Sequence, residues 1–181
     1  ALAVLLVGLL ALGTRALHWD GLADTVDGLT ASYERERALA VMRTGDVGPA
    51  GTVAVVLVAA LQIVALAAVV GRPHGWLAVG VLVLASRSVL TVACVRGLPS
   101  ARAEGLGATV VGTVPVPAAV AVAAVGGALS VGATALLGSP WAGLVGWLAM
   151  LAVVALMVLR CVRRLGGLTG DVLGAGVEVG F

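Results

Sequence analysis

Lysine is absent from the 181 residues, and all eleven basic side chains are arginine. Aromatic residues make up only 3% and charged residues 11%, far below the roughly 25% charge of an ordinary soluble domain. The formal net charge is +2, and no basic run is interleaved with aromatics. That excludes the electrostatic and stacking surface of a nucleic-acid binder. Cysteine occurs twice, at Cys94 and Cys161, too far apart for a CxxC metal or redox pair, so both read as free thiols. No charged leader region precedes the first apolar run, which begins at Ala1 and is expected to be a true span of a longer protein. The missing lysine and the Ala, Val and Leu bias carry no functional meaning of their own.

What is present is apolar: 61% hydrophobic residues and a mean hydropathy of +1.15. A helix needs roughly 20 apolar residues to cross a bilayer core, where its backbone must be satisfied internally. Runs at 1–17, 51–71, 76–95, 110–137 and 141–159 predict five spans, with 172–181 beginning a sixth. The fold class expected is all-α, a polytopic transmembrane helical bundle forming a single integral-membrane domain over 1–181. Pro115 and Pro117 leave the start of the fourth span open by several residues. Gly126-Gly127 suits close helix packing.

The connections alternate. Those at 18–50, 96–109 and 160–170 carry Arg35, Arg37, Arg43, Arg96, Arg102, Arg160, Arg163 and Arg164, whereas 72–75 and 138–140 are short and nearly uncharged. The positive-inside rule assigns the arginine-rich side to the cytoplasm. Nearly every carboxylate falls on that side, in the connections or near that boundary, so any chemistry is expected to face the cytosol.

The stretch His18-Trp19-Asp20-Gly21-Leu22-Ala23-Asp24-Thr25-Val26-Asp27-Gly28 is the most informative. Its aspartates stand at i, i+4 and i+7, on one face of a helix. Three like charges beside a membrane repel unless a cation intervenes, and hard oxygen ligands suit Mg²⁺ completed by water and substrate phosphates. The plain alternative is an exposed acidic turn that caps a following helix. The small residues Gly21, Ala23 and Gly28 leave room for a bulky ligand and favour the metal site.

This stretch resembles the HxDGLADTxDG signature of the cobalamin synthase family, the adenosylcobinamide-GDP ribazoletransferases. Two later segments agree in order. Ala101-Arg102-Ala103-Glu104-Gly105-Leu106-Gly107 is similar to the family's AR-x-EGLG loop, and Gly166-Gly167-Leu168-Thr169-Gly170-Asp171-Val172-Leu173-Gly174-Ala175 to its GG-x-TGD-x-LGA segment, followed by Glu178 at the acidic place. The family's N-terminal portion and the rest of its last span are not matched. One departure is Thr44 directly after Met42-Arg43, where many members place an aspartate; here the acid, Asp46, comes two residues later.

The resemblance implies an enzyme of the bacterial cell membrane that moves adenosylcobinamide phosphate from its GDP-activated form to α-ribazole or its 5′-phosphate and releases GMP. Mg²⁺ would be held by Asp20, Asp24, Asp27 and, by weaker analogy, Asp46. Asp27, or His18 in its place, would accept the proton of the attacking hydroxyl. Arg43, Arg87, Arg102, Glu104, Thr169 and Asp171 would bind substrate. For Arg102 and Glu104 the plain alternative is a solvated loop pair, and for Thr169 and Asp171 it is ordinary helix capping. Arg87 lies inside the third span, where a charge normally faces the bundle interior or snorkels outward. Arg160, Arg163 and Arg164 read as topology and anionic-lipid contacts.

Expected partners are the two substrates, the lipid bilayer and other membrane components of the pathway. Two rival readings are a CDP-alcohol-type phosphotransferase, whose four acids spread over two helical stretches, and a transporter, whose acids would lie near the bilayer midplane.

Overall fold

A computed structural model describes all residues, 1–181, as nine helices without a strand. They are α1 (Leu2–Gly13), α2 (Leu17–Ala31), α3 (Arg35–Val41), α4 (Pro49–Val70), α5 (Gly75–Ala93), α6 (Leu106–Val110), α7 (Val116–Ala135), α8 (Pro140–Leu165) and α9 (Gly170–Val179). Helices α4, α5, α7 and α8 are each long and apolar enough to cross a membrane. The 22 residues of α4 rise about 33 Å, one bilayer core. Prolines open α4, α7 and α8 in their first turn, where a missing N–H leaves no bond unmade. Leu57, Leu61, Val64, Leu148 and Leu156 point outward unburied, as lipid-facing side chains do.

Three boundaries differ from expectation. The first apolar run does not pass into a polar connection at Leu17. It breaks at Arg15 and Ala16, both left-handed with φ of 53° and 59°, and the chain turns by 87° into α2. Residues 18–31 are therefore a packed helix and no polar loop. The fourth run is divided into α6 and α7 by Gly112, at φ 78°, and by Pro115. Val114 there pairs with the end of α5, accepting from the Arg96 N–H (2.8 Å) and donating to the Cys94 carbonyl (3.0 Å). The fifth run continues to Leu165, which puts Arg160, Arg163 and Arg164 on the last turns of α8 and shortens the connection to residues 166–169. Basic side chains there complement the negative end of the helix dipole.

The beginning of the sixth run proves to be the centre of the molecule. Every residue of α9 from Val172 to Glu178 is buried. On one side α9 meets the apolar cluster of Val89, Val154, Val158, Cys161 and Leu165. On the other it meets Trp19, Leu22, Leu66 and Val79. Both cysteines are free and buried. Trp147 of α8 covers Gly126 and Gly127 of α7; a Cβ on Gly126 would collide with the indole, and one on Gly127 would stand tightly against it at 3.0 Å.

The three arginine-bearing connections meet at one end of this bundle. Arg35 donates to the Ala101 carbonyl (3.2 Å), Arg102 to that of Leu39 (3.3 Å), and the Ala101 N–H to that of Leu168 (2.9 Å). Residues 71–74 and 136–139, the short connections, turn at the opposite end.

Candidate active site

Helix α2 carries Asp20, Asp24 and Asp27 along one face, and two glycines set how closely other elements approach it. A Cβ on Gly21 would stand 2.6 Å from the Asp171 carbonyl oxygen, so the glycine brings α2 against the first turn of α9. A Cβ on Gly28 would stand 3.0 Å from the Ala38 carbonyl oxygen of α3. These contacts put Asp24, which is buried, among the charges of Asp20, Asp171, Asp27 and Arg102. Asp20, by contrast, is exposed at the mouth of the cluster.

Asp27 is buried, and each of its oxygens accepts a hydrogen bond. Its Oδ2 accepts from the Gly48 N–H (2.7 Å) and its Oδ1 from the Gly51 N–H (2.8 Å). A helix start leaves amides without intrahelical partners and carries partial positive charge. Gly48, at the cap position of α4, has no side chain to supply an acceptor, and Asp27 fills that role from a different helix. Gly48 and Gly51 are small for a visible reason, since a Cβ on either would run into the Asp27 carboxylate.

Facing α2 is the start of α9. Thr169 caps it, its hydroxyl accepting from the Val172 N–H (3.3 Å) and donating to Asp171 Oδ2 (3.1 Å). Arg102 approaches the same oxygen through Nη1 at 3.4 Å, and its Nε is buried without a partner. The Arg102 segment is held by pairing of Pro99 and Ala101 with Leu168. Between the two segments lies a small polar cavity of about 110 Å³, lined by Ser100, Arg102, Glu104, residues 105–108, Thr169, Gly170 and Asp171.

The structure thus brings Asp20, Asp24, Asp27, Arg102, Thr169 and Asp171 together, with Glu104 exposed at the cavity rim. Arg43 and Asp46 sit exposed in the turn after α3, without an ion pair. His18 faces away from the aspartates, its Nδ1 3.4 Å from Glu178 Oε1. Arg87 is not brought to the cluster. Its guanidinium donates to Ser86 Oγ (2.6 Å) and lies 5.9 Å from the centroid of the Phe181 ring, at the far end of α9. Phe181 follows Asp171 by ten positions, roughly 15 Å of helical rise.

Two residues were not singled out from sequence, Arg164 beside the site and Gln62 deeper in the bundle. Arg164 donates to the Leu29 and Ser32 carbonyls (3.4 and 2.7 Å) and stacks over Tyr33 at 4.2 Å, closing the carbonyl end of α2. Gln62 donates to Glu178 from the middle of α4. A polar residue in the midst of a 22-residue apolar run was its only signal.

No three His, Cys, Asp or Glu side chains converge as a ready-made metal cage. The donors present are hard carboxylate oxygens, and Asp20, Asp24 and Asp171 are the ones not spent on backbone amides. That set fits an ion held by one or two carboxylates and completed by water and phosphate oxygens.

Fold and site together define a multi-pass helical membrane protein with an acid and arginine centre at one end of its bundle. The family described as cobalamin-5-phosphate synthase, of transferases in cobalamin synthesis, matches residues 1–181, and the chain belongs to it. A relative from a Nocardioides species is 50% identical over 179 residues, covering 99% of this chain and 68% of its own. One from Frankia casuarinae is 40% identical over 189 residues (98% and 66%), and one from Syntrophobacter fumaroxidans 38% over 182 (98% and 69%). All three are named adenosylcobinamide-GDP ribazoletransferase. The chain spans about two thirds of the length of these curated relatives. No solved structure matches it.

Proposed function

We propose that the protein transfers adenosylcobinamide phosphate from its GDP ester to the 5′ oxygen of α-ribazole or α-ribazole 5′-phosphate, with Mg²⁺, on the cytoplasmic side of the cell membrane. The observation that carries this reading is the meeting of Asp20, Asp24, Asp171 and Arg102 at the end of the bundle where all three arginine-bearing connections gather. The named relatives supply the substrate class.

In the transfer, the acceptor oxygen forms a bond to the phosphorus that carries cobinamide, the bond from that phosphorus to the GMP oxygen breaks, and GMP departs with the electron pair. Little covalent work is left to the protein, so positioning and charge stabilisation dominate. Asp20, with Asp171 across the α2–α9 contact, would hold Mg²⁺; bound there it would neutralise the diphosphate. Arg102 supplies a guanidinium for phosphate oxygens once the diphosphate competes with Asp171 for it. Asp24, which no protein donor engages, is best placed to take the hydroxyl proton. Asp27, whose two oxygens each accept from an amide of α4, is assigned to holding α2 and α4 together, and its remaining lone pairs can still face an ion. The test is release of GMP from adenosylcobinamide-GDP by protein in lipid, with each acceptor in turn and with Mg²⁺ present or chelated.

A further inference from the structure

Away from the acid centre, three polar side chains from three helices meet inside the bundle. Gln62 is the one polar residue buried on α4. Its Nε2 donates to the Glu178 backbone carbonyl (2.9 Å) and to Glu178 Oε2 (3.0 Å). The other Glu178 oxygen faces His18 Nδ1 at 3.4 Å. Gln62 and Glu178 are each only 5% exposed. Gln62 lies thirteen positions into α4, about 20 Å from its start, so the cluster sits deep between the membrane-crossing helices.

A carboxylate at such depth is costly, and a leucine pair would fill the space without that cost. What polar pairs provide and leucines do not is register, because their bonds are directional. A slip of α9 by one residue moves its side chains ~1.5 Å along and 100° around the axis, enough to break both Gln62 bonds. The same two helices that carry His18 and Glu178 carry Asp24 and Asp171 at their other contact. Asp24 comes six positions after His18, and Asp171 seven positions before Glu178.

We propose that Gln62, Glu178 and His18 are positioning residues that lock the register of α2 and α9 against α4 and thereby hold Asp24 opposite Asp171. The catalytic consequence rests on the transferase reading above. Gln62 anchors α9 twice, through the Glu178 backbone carbonyl and through the Glu178 side chain. His18 brings α2 beside the same carboxylate, its Nδ1 3.4 Å from Glu178 Oε1, a contact made without a hydrogen bond.

The experiment compares wild type, Gln62→Leu, Gln62→Glu and the exchange Gln62→Glu/Glu178→Gln in lipid nanodiscs. It reads kcat per folded molecule, KM for adenosylcobinamide-GDP and the thermal midpoint. Gln62→Leu lowers kcat about tenfold with KM within about twofold, the pattern of a lost transition-state geometry. Gln62→Glu, which sets two carboxylates together, falls further, and adding Glu178→Gln recovers part of kcat, because the side-chain pair is remade with donor and acceptor exchanged while the bond to the backbone carbonyl of residue 178 stays lost. Unchanged kcat in folded Gln62→Leu overturns the proposal, and so does an exchange no better than Gln62→Glu alone. If Gln62→Glu does not fold, the kcat of Gln62→Leu and recovery of folding by the exchange decide the matter. Wild type that releases no GMP refutes the transferase reading instead, while the thermal coupling between positions 62 and 178 still tests the register lock.

Discussion

Replacing Asp27 and Asp24 by asparagine, one at a time, separates two roles that the spacing of the motif makes look alike. Asp27→Asn keeps one oxygen acceptor but turns the other position into an NH₂ group facing an amide of α4. Hydrogen bonds to a charged group contribute about 1.5–3 kcal/mol each, and a buried amide left unpaired costs a similar amount. Losing one of the two bonds, and weakening the other, should cost about 2–4 kcal/mol. For a chain of this length that lowers the thermal midpoint by about 5–15 °C. Asp24→Asn removes a carboxylate that no protein donor engages and that stands among Asp20, Asp171 and Asp27. Its midpoint should be equal to wild type or higher, and its turnover should be lost. The assay is thermal unfolding in nanodiscs followed by tryptophan fluorescence, with Trp19 buried on α2 as a local reporter, alongside GMP release. The capping argument is refuted if Asp27→Asn melts within about 1 °C of wild type while Asp24→Asn loses several degrees.

Arg102→Lys should lower kcat/KM by at least about tenfold, because an ammonium cannot reach Asp171 and the Leu39 carbonyl together as the guanidinium fork does; steady-state kinetics check it. Arg87→Lys should retain turnover within about threefold, since Arg87 lies beside Phe181 and not at the acid cluster; a loss of about a hundredfold would return it to the phosphate-binding role expected from sequence. Cysteines placed at Ser32 and at Glu104 should be labelled by an impermeant maleimide from the cytoplasmic side and one at Ser139 from the other; labelling of the first two from opposite sides would break the single-site arrangement.

Much of the architecture was legible in the residues. Apolar runs located the helices, and alternation of arginine among the connections anticipated that three of them would gather at one end. The i, i+4, i+7 aspartates were correctly placed on one helical face. Their division of labour was not legible, because the amides that occupy Asp27 belong to Gly48 and Gly51, more than twenty positions later. The right-angle turn before α2 was hidden as well, since its left-handed residues are Arg15 and Ala16 where such a turn is usually signalled by glycine. Arginines that looked like a loop continue α8, because the core contacts of Cys161 and Leu165 hold the helix together past the end of the apolar run. Gln62 carried a signal in its isolation, but its partner lies 116 positions away.

The proposed reaction at this acid centre is metal-assisted transfer of the cobinamide phosphate. Its most direct measurement is GMP release from adenosylcobinamide-GDP in nanodiscs, with and without α-ribazole or its 5′-phosphate, at rising Mg²⁺ and after chelation, for wild type and Asp24→Asn. GMP should form in step with the joined corrinoid product only when acceptor and Mg²⁺ are both present, and not above background with Asp24→Asn. Turnover that persists with the ion chelated, or that survives Asp24→Asn at wild-type rate, would contradict it.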